Sequence, residues 1–220
     1  MSECDFEQMR RAMVASQLRT TGVADARVLA AAGAVPRERF VPKERAAMAY
    51  ADAPVPLGGG RELSPAMATA RLLSEAGPRG HEAAMVVGAA TGYSAALLDR
   101  LTASVVAVEE DRALAAFARE ALAGTGVELV EGPLAEGHCA GAPYDLILID
   151  GAVEAVPDAI VAQLAEGGRL AAAILDEGVA RLAIGRKAAG GFGLTMFSDA
   201  AAAVLPGFVR PQMFSFERAE

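Results

Sequence analysis

At 220 residues, with 53% hydrophobic and 22% charged side chains, the chain can bury one sizeable core and reads as a single domain, 1–220. Its net charge of −8 and scattered basic residues speak against a nucleic-acid partner, because neutralising phosphates needs clustered Lys and Arg. The charged start MSECDFEQMRRAM lacks the apolar centre of a signal peptide. The longest uncharged stretch, 83–98, is too short to span a membrane, so the expected compartment is the cytoplasm, with no membrane partner. Two cysteines, Cys4 and Cys139, make no disulfide framework. The adjacent His138 and Cys139 lack zinc-site spacing, so no metal is expected.

Near the start, Phe6, Met9, Met13, Val14 and Leu18 recur at helical spacing with arginines between them, and the stripe stops at Gly22. A second short helix is expected over 25–34. The stretches VPRERFVP, 35–42, and YADAPVPLGGGRELSP, 50–65, carry prolines and the Gly58-Gly59-Gly60 triplet; they read as loop or turn, a hinged segment serving as connector or lid. From His81 the pattern alternates. Apolar strands are expected at 84–87, 104–108, 127–130, 146–149 and 169–174, with helices at 93–101, 111–123, 156–164 and 177–187. Such near-continuous apolar strands separated by helices mean an α/β fold with a parallel sheet covered on both faces. The tail holds two strand-like runs, Phe192 with Leu194 and Met196, then 208–216, expected to close the sheet as antiparallel edge strands.

In an open parallel sheet the ligand lies at the carboxyl ends of the strands. The candidates are therefore Gly88, Ala90 and Gly92 after the first strand, Glu109 and Glu110 after the second, Glu131 and Gly132 after the third, and Asp150 and Gly151 after the fourth. Glu109 follows the glycine loop by roughly 20 residues, where a carboxylate accepts hydrogen bonds from ribose hydroxyls. Singly, each has a plainer role as turn glycine, helix N-terminal acid or turn former; their placement at successive strand ends points to a nucleoside. Ala90 stands at the middle glycine position and no third glycine follows, a departure from the dinucleotide fingerprint. S-adenosylmethionine, with no phosphate to cradle, fits this loop better than NAD.

Together these stretches resemble the protein-L-isoaspartyl (D-aspartyl) carboxyl methyltransferases. VPRERFVP is similar to a hallmark of that family, and MVASQLRTTGVADARVLAAAGAVPRERFVP to its N-terminal helices. YADAPVPLGGGRELSPAMATARLL resembles its substrate loop and following helix, VVGAATGYSAALL and VVAVEED its two cofactor motifs, and LAEGGRLAAAI a later strand. The likeness runs from about Met9 to Ala173. It implies a class I, Rossmann-like methyltransferase fold using S-adenosylmethionine. The implied reaction is methyl-ester formation on the abnormal carboxylate of isoaspartyl residues in damaged proteins or peptides, the first step of repair. It further implies that Ser64 meets the acceptor carboxylate, that Gly88, Gly92 and Tyr93 contact the cofactor with Ala90 in the same loop, that Glu109 binds the ribose, and that Glu131 and Gly132 lie near the adenine.

The chain departs from the family pattern at several places. Glu62 replaces a threonine, Pro65 and Ala66 follow the serine, and Asp150 with Gly151 replaces a small uncharged pair. Val86 stands where the family carries an acid that helps hold the methionine ammonium, a charge-assisted bond worth roughly 1.5–3 kcal/mol. These departures keep two other readings open: a methyltransferase-fold binding or regulatory protein without turnover, and a methyltransferase for a different carboxylate. The lack of a catalytic His or Cys agrees with a carboxylate acceptor, which has a pKa of about 4 and needs no general base.

Overall fold

The computed structural model describes residues 3–208. Helix α1, Glu3–Ala12, runs on through a π-helical turn, Met13–Leu18, and a 3-10 turn, Arg19–Thr21, and ends at Gly22 with φ +88°. Helix α2, Ala26–Ala34, begins at Asp25, whose carboxylate accepts the Arg27 N–H and satisfies an otherwise orphaned first-turn donor.

The segment 50–65 is not all loop, as its prolines and glycines had indicated. Strands β1, Val55–Gly58, and β2, Arg61–Leu63, pair as an antiparallel hairpin. Gly59 and Gly60 form its turn at φ +59° and +76°, the left-handed pair whose twist suits a two-residue hairpin. Strands this short leave little alternation to read.

Beyond the hairpin come α3 (Ala66–Ala76), β3 (Ala83–Val87), α4 (Tyr93–Asp99), β4 (Ser104–Glu109), α5 (Arg112–Ala121) and β5 (Val127–Glu131). The chain continues through β6 (Tyr144–Val153), α6 (Asp158–Ala162), β7 (Leu164–Asp176), β8 (Val179–Ala188) and β9 (Gly191–Asp199). One seven-stranded sheet has the order β5-β4-β3-β6-β7-β8-β9. Strands β3 to β7 run parallel, and β8 and β9 close the edge antiparallel.

The expected helix at 177–187 is strand β8. Glu177 and Gly178 at φ +48° and +80°, then Ala189 and Gly190 at +51° and +75°, make two hairpin turns that fold the chain back on itself twice. Paired on both sides, β8 buries Leu182, Ala183 and Ile184 in succession, which erases the period-two signal of a half-exposed strand. The second tail run, 208–216, lies outside the described residues from 209 onward.

Side chains alternate across the sheet. Val86, Ala107 and Leu148 face a layer built by α2 to α5, whereas Met85, Val87, Ile147 and Ile149 face Ile160 of α6 together with Leu134, Leu205 and Phe208. Among the described residues the second face is thus covered by α6, the 3-10 turn Leu134–Glu136 and irregular chain. On the first, Arg169 of β7 ties the layers together: its guanidinium grips both oxygens of Glu82, at 2.9 and 2.7 Å, and reaches the Ala76 and Gly77 carbonyls at the end of α3. Among the described residues no helix is long and apolar enough to cross a membrane.

Strand order reverses between β3 and β6, so the crevice at their carboxyl ends is where such a sheet receives a ligand.

Candidate functional site

The loop after β3 is held in left-handed backbone at three points, Gly88 (φ +75°), Ala90 (φ +50°) and Gly92 (φ +97°). A Cβ on Gly88 would meet the end of the Leu205 side chain at 2.9 Å and one on Gly92 that of Leu122 at 2.8 Å, and the left-handed backbone strains any side chain at either position. Ala90 adopts the conformation with its Cβ, at a cost of about 1–2 kcal/mol. Its N–H donates to Glu109 at 2.6 Å, which fixes the loop to the end of β4.

Glu109 is fully buried. Its Oε1 accepts from Arg61 at 2.9 Å and from the Glu110 and Asp111 N–H groups at 3.0 Å each. Its Oε2 accepts from Arg61 at 3.1 Å and from Ala90. Arg61 of β2, itself 5% exposed, also donates to the Gly88 carbonyl at 3.1 Å. Glu131 lies opposite Glu109 in the parallel register, exposed and paired with Arg119 at 2.8 Å. The Gly132 N–H donates to the Glu109 carbonyl at 3.1 Å. Val86 is fully buried within the sheet.

Ser64 follows the hairpin. It is buried, and its hydroxyl donates to Asp150 at 3.2 Å, bridging to β6 across the crevice. Its carbonyl accepts from Arg37, a fully buried residue of the VPRERFVP stretch that also donates to the Ala49 carbonyl at 2.6 Å. The Arg37 guanidinium lies 4.5 Å over the Tyr93 ring, and burial pulls its pKa below the ordinary arginine value. Thr91 donates to the Phe40 carbonyl at 2.6 Å, and the Phe40 and Tyr93 rings meet edge to face at 5.6 Å. Residues 35–42 therefore buttress the glycine loop and the serine at once.

Sequence reasoning missed Arg37 and Arg61. Neither carries a local signal, because a buried arginine is explained only by partners distant in sequence: Glu109 lies 48 residues from Arg61, and the Ser64 carbonyl 27 residues from Arg37.

Burial pushes the Asp150 carboxyl above its ordinary value, against the Ser94 and Ser64 hydroxyls and the positive charges of Arg61 and Arg37. A carboxyl whose folded pKa is raised contributes its stability below its unfolded pKa and loses it as pH rises through the folded one. Asp150→Asn should therefore raise the melting temperature at pH 8, by about 2–4 °C for each kcal/mol recovered, and change little at pH 4. A melting series over this range checks it; equal shifts at both ends would contradict it.

Against a nucleoside cofactor, the donor chemistry fits: a buried carboxylate at the end of β4, a second acid beside it, and a loop whose glycines bring backbone close. The space is taken by the chain itself. Leu205 covers Gly88 and also Gly151, where a Cβ would fall 2.6 Å from its side chain.

A parallel sheet of this order, with a glycine loop after its first core strand and an acid ending the next, is the class I S-adenosylmethionine-dependent methyltransferase fold. It matches a solved protein-L-isoaspartate O-methyltransferase with TM-score 0.78 at 23% identity, covering 90% of this chain and 66% of that one. A Plasmodium falciparum structure described as a beta-aspartate methyltransferase in complex with S-adenosyl-L-homocysteine matches with TM-score 0.74 at 18% identity, over 89% of this chain and 97% of that one. Residues 9–197 match the family model of protein-L-isoaspartate(D-aspartate) O-methyltransferase. The chain is 40% identical to the protein-L-isoaspartate O-methyltransferase of Methanoculleus marisnigri over 75% of its length and 76% of that protein. It is 39% identical to that of Koribacter versatilis over 88% and 89%. The chain belongs to the protein-L-isoaspartate (D-aspartate) O-methyltransferase family.

Proposed function

We infer that this chain transfers a methyl group from S-adenosylmethionine to the free carboxylate of L-isoaspartyl (D-aspartyl) residues in damaged cytoplasmic proteins and peptides, giving the methyl ester that opens repair. The observation that carries this reading is the meeting, at the β3–β6 switch point, of a ribose-type acid at the end of β4 and a buried serine that reaches β6. Arg61 joins Glu109 to the Gly88 carbonyl, and Ser64, the residue after the same strand, reaches Asp150. Family membership supplies the class of acceptor.

When bound, the cofactor supplies an electrophilic methyl group on a sulfonium. Methyl transfer to a carboxylate needs no proton removed from the acceptor, so what falls to the protein is alignment and exclusion of water. Glu109 would hold the ribose, Glu131 and Gly132 would serve the adenine end, and the backbone from Gly88 through Ala90 to Gly92, with Tyr93 after it, would contact the methionine part. Ser64 orients the acceptor. In its ionised state Asp150 accepts the Ser64 O–H hydrogen bond; once protonated it can donate to Ser64 instead, which frees the serine O–H to donate to an acceptor carboxylate. Neither a nucleic acid nor a membrane surface enters this reading.

Ser64→Ala should lower kcat/KM for an isoaspartyl peptide roughly 10- to 150-fold, the value of one hydrogen bond to a charged group, and leave S-adenosylhomocysteine affinity unchanged. Steady-state kinetics paired with calorimetry read this out. An unchanged kcat/KM would remove Ser64 from the acceptor site.

A further inference from the structure

An ionised carboxylate offers about four lone-pair positions. Glu109 accepts five N–H bonds: two from Arg61 and one each from Ala90, Glu110 and Asp111. Its acceptor capacity is spent, and a ribose diol finds no lone pair until a donor leaves. Three of the donors are backbone groups of the two turns that define the crevice, so they stay. The partner that can leave without unmaking either turn is the Arg61 side chain, carried on a hairpin only 4 and 3 residues long on its two sides.

A second element closes the crevice independently. Beyond β9 the chain returns as an extended segment. The Ala152 N–H donates to the Ala203 carbonyl at 2.7 Å and the Leu205 N–H to the Ala152 carbonyl at 2.8 Å. The Glu154 N–H then donates to the Phe208 carbonyl at 3.2 Å. This places Leu205 over both Gly88 and Gly151.

We propose that Arg61 is a built-in competitor for the nucleoside site: the resting chain is latched shut, and a ligand bearing a ribose diol binds by displacing the Arg61 guanidinium from Glu109 and Leu205 from Gly88. The proposal rests on the methyltransferase reading above. It adds a coupling, because the acceptor serine, Ser64, directly follows β2, the strand that carries Arg61. Occupation of the nucleoside site thereby frees the segment that receives the second substrate, and cofactor binds before acceptor.

The test titrates S-adenosylhomocysteine into the full chain and into Arg61→Gln, Arg61→Lys and Leu205→Ala by calorimetry, with hydrogen exchange of residues 55–63 followed in the unsubstituted protein. The latch predicts that Arg61→Gln binds about tenfold tighter or more. Arg61→Lys should fall between, since a single ammonium cannot grip both oxygens, and Leu205→Ala should tighten binding separately. It also predicts that ligand speeds hairpin exchange in the unsubstituted chain, a readout that survives even if Arg61→Gln folds poorly. If the unsubstituted chain binds and Arg61→Gln binds no tighter, or the hairpin becomes more protected, the latch is wrong and the methyltransferase reading stands. If no variant binds at millimolar ligand, both fall.

Discussion

Arg169→Ala should lower the unfolding free energy by about 3–5 kcal/mol, the usual result of removing one partner from a buried ion pair. Arg169 is 5% and Glu82 2% exposed, and the guanidinium binds both carboxylate oxygens while reaching the last carbonyls of α3. Its loss strands the acid at the foot of β3 and unties α3 from the sheet. Burial alone would raise the Glu82 pKa; hydrogen bonds from Arg169 and from the Arg79 N–H, with the nearby positive charge, outweigh it and hold the carboxyl below its ordinary value. A lowered folded pKa contributes stability above the unfolded pKa and loses it as pH falls through the folded one. The deficit of the variant should therefore be largest at neutral pH and shrink on acidification. Urea melts at pH 7 and pH 4 measure both; a loss below 1 kcal/mol at pH 7 would show that the pair is not the clamp described here.

Glu109→Ala should be comparably destabilising, by about 3–5 kcal/mol, and should also abolish nucleoside binding. The substitution leaves Arg61 as a buried cation without its partner and three backbone N–H groups without their acceptor. Arg61→Gln leaves the same carboxylate with those three backbone donors and should cost less. The two effects separate in the double variant Arg61→Met with Glu109→Gln, which removes both charges. Stability should partly return, while binding of S-adenosylhomocysteine should not. A Glu109→Ala protein that binds the nucleoside as tightly as the unsubstituted chain would displace Glu109 from the site.

Much of this arrangement was legible in the sequence, and the exceptions have physical causes. The parallel core declared itself because strands buried on both faces are continuous apolar runs ending in turn residues, as in AAMVV before Gly88 and SVVAVE ending at Glu109. Strand β8 did not, since its central residues are buried consecutively and its alanines favour a helix in isolation. Glu177-Gly178 and Ala189-Gly190 were the available signal, residue pairs ending in glycine at hairpin spacing. Within the site, strand-end reasoning placed Glu109 and Glu131 side by side, as the register of β4 and β5 has them, whereas Asp150 and Gly151 lie inside β6, which runs on to Val153, rather than past its end. The VPRERFVP stretch was recognisable by resemblance, but not why it matters: Arg37 is explained by Ala49, Ser64 and Tyr93, all distant in sequence. Arg61 was invisible for the same reason, and it changes the reading of the site most.

Val86 takes on a different meaning in the fold. It is packed in the sheet interior on the face of Ala107 and Leu148, so the missing acid leaves no vacant polar position behind it. The cation nearest the loop carbonyls is Arg61, on the Gly88 oxygen.

The central claim is carboxyl methylation of isoaspartyl residues. It is tested most directly by incubating the chain with methyl-labelled S-adenosylmethionine and a matched pair of peptides, identical except that one carries an isoaspartyl and the other an ordinary aspartyl linkage, and measuring base-labile label. The account predicts label in the isoaspartyl peptide alone, lost in Glu109→Ala and increased at low cofactor in Arg61→Gln. Absence of label from both peptides at saturating cofactor, in the unsubstituted chain and in Arg61→Gln alike, would contradict it.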